Sequence, residues 1–125
     1  MKTKVFISFD YDHDVSQKNL LVGQSRLDDS PFEISDVSIK QEETDWISKA
    51  RQKIRNADVV IILCGYYTDT ARGVDTELRL AREVSTKYYY LRAYNDKTPY
   101  KPKSAYSFEK IYDWTWDNLK ALLRK

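Results

Sequence analysis

Two short stretches hold most of the side chains able to do chemistry. Ser8-Phe9-Asp10-Tyr11-Asp12-His13-Asp14 alternates acids with aromatic rings at the exit of an apolar run. Cys64-Gly65-Tyr66-Tyr67-Thr68 leaves a second apolar run, and Glu77 follows a little further on. A carboxylate held in a cleft suits general-base, nucleophilic or transition-state-stabilising work. The acids of the first stretch also resemble oxygen ligands for a divalent cation.

Glu77 is singled out by helix geometry. With Val74 set at zero, Leu78 falls near 40°, Ala81 near 340° and Val84 near 280° at about 100° per residue. Arg82, Asp75, Arg79, Glu83 and Thr76 occupy roughly 80–200°, a polar face. Glu77 lands near 300°, as the one acid on the apolar stripe. Partial burial there raises its pKa, and the helix N-terminus pulls the other way. The plainer alternative has Glu77 bonding a loop amide and closing the helix start.

The elements that position these residues follow from periodicity. Val5-Phe6-Ile7 reads as a short strand, and residues 15–25 as a helix with Asp14 as N-cap. Phe32-Glu33-Ile34-Ser35 alternates as an edge strand. Trp46, Ile47, Ala50, Ile54 and Ala57 recur at helical spacing behind a Thr44-Asp45 cap. Val59 to Cys64 is apolar without alternation, as a strand covered on both faces requires. A helix over 73–85, a tyrosine-rich strand over 87–94 and a loop over 95–107 come next. A short strand at Ile111-Tyr112 and a helix lined by Trp116, Leu119, Leu122 and Leu123 close the chain.

Strand and helix alternate, so the expected class is α/β: a doubly wound, five-stranded parallel sheet of flavodoxin-like order 2-1-3-4-5, with helices on both faces. Ligands in that order sit beyond the carboxyl ends of strands 1 and 3, where the two reactive stretches emerge.

Composition narrows the classes. A chain of 125 residues, 32% charged and 42% hydrophobic, is expected to form one globular domain spanning residues 1–125. One cysteine excludes an internal disulfide, and one histidine leaves no Cys/His zinc set, so no metal and a reducing cytoplasmic setting are expected. No apolar leader and no membrane span are read. Residues 1–45 carry 5 basic and 10 acidic side chains, and residues 46–125 carry 16 and 9. The basic part reads as a solvated helix face, and nucleic acid is not an expected partner.

The stretches KVFISFDYDHD, NADVVIILCGYYTDTARGVDTEL and IYDWTW resemble the TIR-like domains of the Thoeris anti-phage defence system, from Lys4 to about Trp116. The resemblance implies a flavodoxin-like fold and cleavage of the nicotinamide–ribose bond of NAD, with Glu77 as the catalytic residue. NAD is then a substrate rather than a cofactor, and the product is a cyclic ADP-ribose-type signal for a separate effector, with self-association on activation. It further implies that Ser8, Phe9, Asp10 and Tyr11 line the nucleotide pocket, with Cys64, Gly65 and Thr68 on its opposite wall. Gly73 stands where many members carry tryptophan.

That chemistry is physically sound. Loss of nicotinamide leaves an oxocarbenium-like ribose, which a carboxylate stabilises, and the cationic leaving group needs no proton. No G-x-G-x-x-G follows the first strand, so NAD would be held by loops and partner chains rather than as in a Rossmann fold. Four other readings compete. A phosphorylation receiver lacks its reactive aspartate, because Cys64-Gly65 stands there. A calcium loop starting at Asp10 fails at Val15 and Leu21. A nucleoside deoxyribosyltransferase-like enzyme would use the glutamate on another N-glycosidic bond. A non-catalytic interaction module would work through exposed tyrosines.

Overall fold

A computed structural model of the chain describes residues 2–40, 44–96 and 98–124. Five strands, β1 (Thr3–Ser8), β2 (Phe32–Val37), β3 (Val59–Cys64), β4 (Lys87–Arg92) and β5 (Ile111–Tyr112), pair in parallel in the order β2-β1-β3-β4-β5. Helices α1 (Val15–Ser25), α2 (Trp46–Asn56), α3 (Arg72–Glu83) and α4 (Trp116–Leu123) connect and close them. The expected α/β class and strand order are both present. Among the described residues no helix is long and apolar enough to cross a membrane.

The unbroken apolar run of β3 is explained by its place between β1 and β4, with every residue buried. Its side chains alternate between two cores. Val60 and Ile62 join Phe6 and Tyr90 against Ala50 and Ile54 of α2 and Leu78 and Ala81 of α3. Val59, Ile61 and Leu63 join Val5 and Ile7 against Leu21 of α1 and Leu119 and Leu123 of α4. Each large apolar side chain buried in this way contributes about 1.5–3 kcal/mol.

Helix starts depart from the expected capping. Asp14 does hold the N-cap position of α1, but its side chain makes no capping bond. Its carboxylate instead accepts from Tyr94 Oη at 2.8 Å. Asp45 precedes α2 with φ 59°, in left-handed backbone, and its side chain does not cap either. Thr115 supplies a side-chain cap, accepting the Asn118 amide at 3.1 Å. The tyrosine-rich strand stops at Arg92 rather than Tyr94, which frees Tyr94 to reach back over the β1 exit.

Candidate active site

Ser8 ends β1 and Ser38 follows β2, so two hydroxyls emerge from neighbouring strands at one edge of the sheet. Both donate to Glu77 Oε1, at 2.6 Å from Ser8 and 2.5 Å from Ser38. Ser38 Oγ also accepts the Phe9 amide at 2.9 Å, and Tyr11 Oη donates to the Ser38 carbonyl at 2.6 Å. Glu77 Oε2 is buried and makes no hydrogen bond among the described residues. Such an unmade bond costs about 1–3 kcal/mol.

The amphipathic stripe explains how the acid arrives there. Val74, Leu78 and Ala81 turn α3 onto the sheet, and Glu77 turns inward with them, 1% exposed. Burial pushes its carboxyl up to about 7, against the pull of the Ser38 and Ser8 hydroxyls and the Ile39 amide. The group therefore stands near the middle of its titration at neutral pH.

A cavity of about 640 Å³ opens beside this carboxylate. Residues 9–13 of the β1 exit form one side, residues 38–40 another, and residues 70–74 the third, with Glu77 at the base. Small-molecule sites typically span about 300–1,000 Å³. At the rim, His13 Nδ1 meets Asp10 Oδ2 at 2.7 Å and the imidazole stacks on Tyr67 with centroids 4.0 Å apart. The bond to Asp10 raises the His13 pKa above its ordinary value. Lys40 Nζ lies 5.7 Å from the centre of the Tyr11 ring.

The sheet order agrees with the family comparison. The model of the Thoeris protein ThsB, TIR-like domain, matches residues 6–99, from within β1 to the loop beyond β4. The chain belongs to this family. Among curated proteins none matches it. The matched part of this Thoeris TIR-like domain contains Glu77 and the whole cavity wall, while β5, α4 and the IYDWTW stretch lie outside it.

The structure brings together only part of the expected site. Phe9, Asp10 and Tyr11 line the cavity, whereas Ser8 lies behind it, on Glu77. Cys64, Gly65 and Thr68 do not form the opposite wall, which residues 70–74 build instead. They close the β3 exit turn: the Gly65 amide donates to Thr68 Oγ1 at 2.8 Å, and Cys64 is fully buried. Burial pushes the Cys64 thiol far above its ordinary value, which removes it as a nucleophile. Gly73 is itself on the wall.

Ser38, Lys40 and Arg72 also line the cavity, and the sequence alone does not single them out. The available signal was the strand order, since β2 lies beside β1 and its exit must adjoin the aspartate-rich turn. Among the described residues no group of three His, Cys, Asp or Glu side chains could hold a metal ion.

Proposed function

We propose that this Thoeris TIR-like domain cleaves NAD at the nicotinamide–ribose bond and that Glu77 is its catalytic carboxylate. The observation that carries the reading is a buried carboxylate with one oxygen held by two hydroxyls and the other left without a partner, at the base of a cavity.

The bond electrons leave with nicotinamide, which departs neutral, and positive charge grows on the ribose anomeric carbon. An ionised Glu77 stabilises that charge in a low-dielectric setting, where electrostatic help is strongest. Capture by water, with loss of one proton, gives linear ADP-ribose. Capture by a nucleophilic atom of the same ADP-ribosyl group gives a cyclic product, the signal that would activate a separate effector. The cavity supplies both signs of charge such a ligand needs, with Lys40 and Arg72 for phosphate and Glu77 for the ribosyl cation. Glu77 is 1% exposed, so its neighbours must shift before a sugar reaches it. That requirement favours activity on assembly or after a phage trigger.

A second reading, a non-catalytic interaction module, is favoured by Phe108, which is 83% exposed and stacks on Tyr106. The deciding experiment measures phage protection and nucleotide products by mass spectrometry for wild type and Glu77→Gln. Loss of product and protection together supports the enzyme. Protection equal to wild type overturns it in favour of the module.

A further inference from the structure

Every polar group of Ser38 is engaged. Its amide donates to the Ile7 carbonyl at 2.8 Å, and its carbonyl accepts Tyr11 Oη. Its hydroxyl oxygen accepts the Phe9 amide, so the single hydroxyl proton is left for Glu77 Oε1. Ser8, by contrast, has one side-chain hydrogen bond among the described residues, to the same Glu77 oxygen. Phe9 and Tyr11 both line the cavity, and both reach Glu77 through Ser38.

We infer that Ser38 is the positioning residue of this site: its hydroxyl fixes which oxygen of Glu77 is left free for a ligand and ties that carboxylate to the ring-bearing β1 exit. Two donors on Oε1 localise negative charge there and hold the carboxylate plane, so Oε2 has a fixed direction before substrate arrives. A ligand that displaces the Tyr11 ring or the Phe9 backbone would shift Ser38 and, through it, Glu77. The inference rests on Glu77 being the catalytic group, yet its geometry can be read without any turnover.

The charged groups sharing the cavity are Asp10, Asp12 and His13 from the β1 exit, Lys40 from the β2 exit and Arg72 at the start of α3. None of them forms an ion pair with Glu77 among the described residues. With no ion pair on it, the carboxylate is set by its burial and by the hydroxyl donors that oppose it, and removal of one donor should be visible in its titration.

The test follows the Glu77 carboxyl by carbon NMR of the glutamate-labelled full chain, with Glu77→Gln assigning the signal. Ser38→Ala is expected to move the midpoint upward by about one pH unit, as loss of a hydrogen bond to the charged form requires. Ser38→Thr, which keeps a hydroxyl, should titrate close to wild type, and Ser38→Val, of the same shape without it, should follow alanine. If Ser38→Ala yields no folded protein, the threonine–valine pair carries the test. NAD turnover in Ser38→Val should fall at least about tenfold in kcat with KM changed less than about threefold. Unchanged titration in the hydroxyl-free variants, or threonine behaving as valine, overturns the role of Ser38. Undiminished NAD cleavage by Glu77→Gln instead overturns the functional reading, while the carboxyl titration still judges Ser38.

Discussion

The Asp14 carboxylate lies directly on the α-carbon face of Gly65. A Cβ built at Gly65 would stand 2.7 Å from Asp14 Oδ2 and 2.8 Å from Oδ1. Asp14 cannot retreat freely, because it is buried and held by Tyr94 Oη, whose ring stacks on Tyr66 with centroids 4.6 Å apart. Gly65→Ala should therefore destabilise the fold by about 1–3 kcal/mol, as overpacking of a fixed interior does. Asp14→Ala in the same chain should recover part of that loss, giving a non-additive cycle in urea unfolding. A Gly65→Ala change below about 0.5 kcal/mol, or strict additivity, would show that the carboxylate yields.

The same contact shows what could and could not be read from the chain. Val59 to Cys64 announced a central strand by its lack of alternation, and Glu77 announced its inward turn by its angle among apolar neighbours. Both properties are periodic and local. Asp14 was the right residue type for a cap, but Tyr94, 80 positions away, captures its side chain. Gly65 was placed on the pocket wall by the family resemblance, whereas its α-carbon faces the Asp14 carboxylate, a contact no local pattern announces. Ser38 gave no local signal at all, since its role arises only where β2, β1 and α3 converge.

Glu109 should be a strong structural determinant of the far sheet edge. It accepts Tyr88 Oη at 2.6 Å, Tyr90 Oη at 2.8 Å and the Tyr106 amide at 2.9 Å, and it pairs with Arg82 at 3.2 Å. Burial alone would push its carboxyl up; the Tyr88 hydroxyl, the Tyr106 amide, the Tyr90 hydroxyl and Arg82 outweigh this and hold it below its ordinary value. With the folded pKa depressed, this stabilisation is present above the unfolded value of 4.5 and is lost as pH falls through the folded one. Glu109→Ala should cost about 2–3 kcal/mol at neutral pH and less in acid, measured by thermal unfolding across pH. Equal costs at pH 7 and pH 3 would sink the assignment.

Under the proposed function, NAD cleavage requires ionised Glu77. The carboxyl titrates near pH 7, so the rate should rise through that value and level off above it. Glu77→Gln should lower product formation at least about 100-fold on the plateau above pH 7, and by less in acid, where the wild-type carboxyl is itself protonated. A wild-type profile flat from pH 5.5 to 8.5 would mean that some other group, or none, titrates in the rate-limiting step.

The same acid should weaken the fold that holds it. Its folded pKa, about 7, lies above the unfolded value of 4.5, so between these the folded chain binds the extra proton. Stability from this group is thus full below about pH 4.5 and is lost as pH rises through 7. The accumulated penalty is about 3 kcal/mol at pH 8 and under about 1 kcal/mol at pH 5. Glutamine keeps an oxygen for the Ser8 and Ser38 hydroxyls and cannot ionise. Glu77→Gln should therefore raise the unfolding free energy at pH 8 clearly more than at pH 5, by denaturant titration at both. A destabilised variant at pH 8 would mean that the ionised carboxylate contributes more through its two hydroxyl donors than its burial costs, which would remove the strain expected of a group held for chemistry.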